Sequence, residues 1–179
     1  VVGAFHGLSR ERSDARKYPA IDPLISWSKY KGVVDPEKTA FCKEILHHGY
    51  EIGTMMKVVG EEGTSLSDYI VYLKEEMLDA VYLQQNSFDL VEANCGKERQ
   101  RYVTDKLIKI LGSEYDLSDK DLARSFFNSM RQKFIDWNYT EFESEAFKKA
   151  EAEIDDIYNQ GDGKLSREAE LLLKEGEAV

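Results

Sequence analysis

The segment Gly161-Asp162-Gly163-Lys164-Leu165-Ser166 holds residue types that could grip a phosphate or a calcium ion. A phosphate loop needs Gly-x-x-x-x-Gly-Lys-Ser/Thr behind a strand, so that backbone amides cradle the anion while the lysine reaches it. Here Tyr158 stands where the first glycine belongs, and Ser166 comes one place late. A calcium loop needs acidic or amide oxygens at its first and third positions and a bidentate glutamate at its twelfth. Those places hold Tyr158, Gln160 and Ala169, so the segment reads as a turn. His47 and His48 are neighbours on a predicted helix, about 100° apart around its axis, and cannot readily share one ion. Cys42 and Cys95 are far apart, and with His6 they give no zinc or redox spacing. No Ser-His-Asp elbow or His-Glu-x-x-His appears, so no catalytic residue and no metal ligand is expected in this chain.

What remains is aromatic chemistry on a stiff turn. The stretch ARKYPAIDPLISWSKY, residues 15–30, places Pro19 and Pro23 four residues apart, followed by Trp27 and Tyr30. Proline fixes its own backbone and pushes the residue before it toward extended angles, so Tyr18 and Asp22 are predicted to be non-helical and held. Such a turn can present the face of Tyr18. The plainer alternative is that Tyr18 packs the loop against the fold, as most loop aromatics do.

The elements around that turn are mostly helical. Residues VVGAFHGL at the start look strand-like, ahead of a turn-rich Ser-Arg-Glu-Arg-Ser-Asp. Asp35-Pro36 opens a helix expected to reach about Gly49, and a second is expected from Tyr50 through Val59 until GEEGTSLSD breaks it. Ser67 is the expected cap of the next helix, which carries Ile70, Leu73, Met77 and Val81. Lys97 to Leu111 repeats the helical spacing, with Gly112 ending it. Ser118 with Asp121 starts another, striped by Leu122, Phe126, Phe127, Met130 and Phe134. Thr140-x-x-Glu143 reads as a capping box, and a short acidic helix follows the glycine turn. The predicted class is mainly α: an antiparallel helical domain over 32–179, preceded by a short strand and loop over 1–31.

The net charge of −10 argues against a nucleic-acid partner, since phosphate contacts need a basic surface. No apolar run approaches the roughly 20 residues of a membrane span, and no charged-then-apolar leader opens the chain. It starts Val-Val-Gly rather than with Met, which suggests a fragment. The basic residues gather before residue 32 and the acidic ones after residue 140, where a solvated helix face accounts for them. Two free thiols fit a reducing compartment.

Three collinear motifs add a resemblance. LSRERSDARKYPAIDPLISWS resembles the stretch that closes the nucleotide-binding domain of rotary ATPase catalytic subunits, both the V/A-type A subunit and the F-type β subunit. YLQQNSFDLVE is similar to the YLQQNAFD signature of V/A-type A subunits, and VVGEEGTSLSDY looks like the elbow before the penultimate long helix of both families. Together they cover roughly the first 110 residues. The chain departs from many A subunits in carrying Tyr rather than Phe at position 18 and Glu-Glu-Gly-Thr in the elbow.

The resemblance implies a C-terminal portion of a catalytic A subunit, with 1–31 the end of the nucleotide-binding domain. It implies that Tyr18 and Phe88 close around adenine, with Gln85 beside its edge or bonded to local backbone, and that Gly60, Glu61, Glu62, Ser65, Leu66 and Asp68 face the rotor. ATP or ADP with magnesium is then expected in the intact complex and no cofactor in this piece, which lacks the phosphate loop. The partners it implies are B subunits of an alternating A/B hexamer and the central stalk. It further implies a peripheral complex on the cytoplasmic side of a prokaryotic membrane, touching that membrane only through the ion-translocating sector. The competing expectation, from another class, is a helical interaction module without a nucleotide role: Tyr18 and Phe88 side chains lying near each other and pointing into one concavity would favour the adenine reading, whereas two rings enclosed on all sides would favour the module.

Overall fold

The computed structural model describes residues 7–26 and 32–175. Of the strand expected at the start, residues 1–6 lie outside that range, as do Trp27, Tyr30 and residue 31, on one side of the expected boundary. Within it, Leu8 bridges antiparallel to Ile21, and the Ser9 amide donates to the Ala20 carbonyl at 2.8 Å. Between them the segment expected as a turn forms helix α1 (Arg10–Asp14), because the Ser9 hydroxyl accepts the free Arg12 amide and caps it. The chain then turns through Tyr18 and Pro19, whose peptide bond is cis, and through an Asp22 carboxylate that accepts the Leu24 amide at 2.9 Å.

Helix α2 (Pro36–Val59) runs unbroken through Gly49, where two helices were expected. Glycine there serves close approach rather than termination. A Cβ on Gly49 would stand 2.1 Å from the Glu75 Cβ, and one on Gly53, a turn further on, 3.2 Å from the Tyr72 ring. The two glycines thus form a shallow groove in which helix α3 (Leu66–Leu78) lies. The cap of α3 is Ser65 rather than Ser67: its hydroxyl accepts the Asp68 amide at 3.1 Å, and Ser67 sits inside the first turn.

Helix α3 ends in one turn of π-helix, Asp79–Leu83, before a short α4 (Leu90–Ala93) and α5 (Lys97–Leu111). Helix α6 (Lys120–Asn138) is capped by Asp119, which accepts the Leu122 amide at 2.8 Å, one residue beyond the expected Ser118. Helix α7 (Glu145–Gln160) is capped by Ser144. The expected Thr140–Glu143 box does not form: Thr140 donates to the Trp137 carbonyl at the end of α6, and Glu143 adopts a left-handed φ of 64°. The glycine turn leads into a two-residue strand, β2 (Lys164–Leu165), antiparallel to β1 (Ser113–Glu114), and then into α8 (Arg167–Glu175).

The core lies where α3, α5, α6 and α7 meet, around the fully buried Met77, Leu107, Phe134, Trp137 and Ile154. The mainly α class is thereby shown. Among the described residues no helix is long and apolar enough to cross a membrane.

Candidate functional site

Tyr18 and the Phe88 segment approach each other through backbone. The Gln85 amide donates to the Tyr18 carbonyl at 3.0 Å, three residues before Phe88. Both rings are displayed rather than packed away: Tyr18 is 55% and Phe88 95% exposed. Neither is enclosed in the core.

The segment carrying Phe88 is built by its own polar side chains. Asn86 accepts the Phe88 amide at 3.1 Å, its own amide donates to the Glu92 carboxylate at 2.9 Å, and Asp89 accepts two amides at the start of α4. Gln85 uses its side-chain amide on the Glu92 carbonyl at 3.2 Å. It therefore serves local backbone, while also lining a cavity of about 690 Å³ between the first segment, α2, the π-turn and α5. Neither aromatic ring lines that cavity. Cys42 and Cys95 do, and both are free; burial pushes the Cys42 thiol up to about 12, so it stays protonated and unreactive.

Behind the Tyr18 turn lies a charged cluster that sequence reasoning missed. Asp79, the first residue of the π-turn, is 1% exposed and bonds Arg12 at 2.5 Å and Lys17 at 2.8 Å. Gln84 donates to its second oxygen at 3.2 Å. Glu75, one turn earlier on α3, is driven up to about 7 by burial, against the pull of Lys17 and Arg12 and with Asp79 and Glu76 repelling its charge. The signal was a lone acid in the apolar run Met-Leu-Asp-Ala-Val-Tyr-Leu, together with basic residues just before Tyr18. A buried carboxylate demands a partner.

The second predicted group forms the elbow between α2 and α3. Gly60 ends α2 at φ 79°, Thr64 is buried and donates to the Gly60 carbonyl, and Ser65 caps α3. Glu62 and Ser65 are exposed; Leu66 and Asp68 are half-buried. Helix α6 braces this elbow from behind. Lys120 donates to the Glu61 carbonyl at 2.5 Å, and Arg124 bonds both the Glu61 carboxylate and the Tyr69 hydroxyl.

His47 and His48 stand on the exposed side of α2, with His47 3.7 Å from Glu51. Among the described residues no three His, Cys, Asp or Glu side chains gather as a metal site would need.

Residues 36–110 match the family described as the C-terminal domain of V and A type ATP synthase. The chain is 57% identical over 157 residues to the V-type ATP synthase alpha chain of Borrelia turicatae, covering 88% of itself and 27% of that relative. It is 53% identical over 175 residues to that of Treponema denticola, covering 98% of itself and 30% of the relative. To that of Borreliella burgdorferi it is 54% identical over 159 residues, covering 89% and 28%. It thus spans less than a third of the length of the curated relatives it matches.

Proposed function

We infer that this chain, which belongs in sequence with the C-terminal part of the V/A-type ATP synthase alpha chain, supplies two parts of a rotary ATP synthase or ATPase. One is the aromatic side of an adenine pocket, formed by Tyr18 and Phe88. The other is the elbow from Gly60 to Asp68, which meets the rotor. The nucleotide is ATP or ADP with magnesium, gripped at its phosphates by residues outside this chain. The partners are B subunits of an A/B hexamer and the central stalk, in a peripheral complex on the cytoplasmic side of a prokaryotic membrane.

The observation that carries the adenine reading is the 3.0 Å hydrogen bond from Gln85 to Tyr18, which ties together two segments that each display an aromatic ring. An exposed aromatic face accepts any flat π-system, and covering it excludes water. Gln85 acts on local backbone rather than on the base. Stacking contributes about 1–3 kcal/mol per base, while association costs an estimated 4–15 kcal/mol. Without phosphate contacts the chain alone should therefore bind ATP more weakly than roughly 1 mM.

The rotor reading is supported by the elbow's exposed, irregular backbone between two rigid helices, where a moving partner can be met without unpairing helical amides.

Photolabelling of the intact complex with an azidoadenine nucleotide tests the first reading. Attachment within residues 18 or 84–88 is expected; attachment wholly elsewhere would contradict it. Cysteines introduced by Glu62→Cys and Ser65→Cys test the second. They should trap the central stalk in at least one rotational state, and capture in none would overturn it.

A further inference from the structure

Asp79 is buried, and both of its basic partners, Arg12 and Lys17, come from the Tyr18 segment. Lys17 is the residue immediately before Tyr18. On the other side, the Asp79 carbonyl accepts the Gln84 amide at 3.0 Å, and its carboxylate accepts the Gln84 side chain. Gln85 then bonds the Tyr18 carbonyl. One carboxylate thus ties both strands of chain that lead to the two exposed rings. The π-turn that opens at Asp79 sets where the Phe88 segment leaves α3, since a single widened turn re-aims whatever follows it.

A carboxylate used only for stability needs no such arrangement, because well-packed apolar residues commonly replace buried ion pairs without loss. We propose that Asp79 is a positioning residue of the nucleotide site, which pairs with Arg12 and Lys17 to fix the Tyr18 turn against the segment carrying Phe88 and so sets how the two rings meet the base. This rests on the adenine reading above. Asp79 touches no nucleotide itself; it acts through Lys17, Arg12 and the Gln84–Gln85 backbone. Its loss lets the two rings drift relative to each other, so it weakens selection for a large flat base more than it weakens the grip on the phosphates.

The test uses the intact complex carrying Asp79→Asn, with Lys17→Met as a second variant at a half-exposed position. Affinities for MgADP and MgCDP are measured in both, alongside Tyr18→Ala and Phe88→Ala. Stacking on one ring accounts for roughly five- to 150-fold in affinity, and a partial loss of about tenfold for MgADP with a smaller one for MgCDP is expected in the Asp79 variant. Lys17→Met should move the ADP-to-CDP ratio in the same direction. A purely structural role would lower the melting temperature and leave that ratio untouched. If the two ring variants weaken MgADP binding while Lys17→Met and every assembled Asp79 variant keep the wild-type ratio, the positioning role is overturned and the adenine reading stands. If the ring variants also change nothing, the adenine reading itself fails.

Discussion

Gly49 on α2 and Glu75 on α3 meet so closely that a Cβ on the glycine would stand 2.1 Å from the Glu75 Cβ. This contact fixes how α3 lies along α2, and α3 in turn carries both Asp79 and the end of the elbow. Glu75 is thereby held half-buried beside the cluster of Arg12, Lys17 and Asp79.

Gly49→Ala should destabilise the chain although alanine favours helix by about 1 kcal/mol. The added methyl has no room against Glu75, and overpacking of this kind costs typically 1–3 kcal/mol. Thermal unfolding should show a lower midpoint than wild type. A higher one would mean that α3 moves away freely and that the groove is not a tight contact.

Glu75 makes a prediction about pH. Burial raises its carboxyl from 4.5 in the unfolded chain to about 7 in the folded one. Between those values the folded state holds a proton that the unfolded state has lost. The group's contribution to stability is therefore full below about 4.5 and declines as pH rises toward 7. Glu75→Gln keeps the neutral shape and removes the slope. The variant's melting temperature relative to wild type should be higher at pH 8 than at pH 4.5, and an equal difference at both would show that the carboxyl is not held protonated.

Helix α6 braces the elbow mainly through Glu61. Lys120 holds the Glu61 carbonyl, and Arg124 holds the Glu61 carboxylate, while Glu62 is exposed. Lys120→Ala with Arg124→Ala should speed amide hydrogen exchange across residues 60–65, whereas Glu62→Gln should leave it unchanged. Equal exchange in all three proteins would mean that the elbow holds its shape unaided.

How much of this the sequence disclosed depends on the range of the interaction. Helices α5 and α8 were legible because apolar periodicity and the glycine after α5 are local signals. Caps slipped by two residues at Ser65, one at Asp119 and four at Ser144, since several hydroxyl or acidic residues compete at each site and only the turn geometry selects one. Gly49 was misread because a glycine required by a neighbouring helix looks the same in sequence as one that stops a helix. The pairing of β1 with β2 spans about fifty residues and leaves no local pattern. Tyr18 and Phe88 were singled out through motifs, whereas the Asp79 cluster between them joins residues more than sixty positions apart and needed the fold to be seen.

The most direct test of the central claim is the affinity of the intact complex for MgADP with Tyr18→Ala and with Phe88→Ala. Loss of one stacking face should weaken binding by about 1–3 kcal/mol in each variant, which corresponds to roughly five- to 150-fold in the dissociation constant. The phosphate grip should be retained, so that binding still responds to magnesium. Wild-type affinity in both variants would contradict the assignment of these two rings to the base.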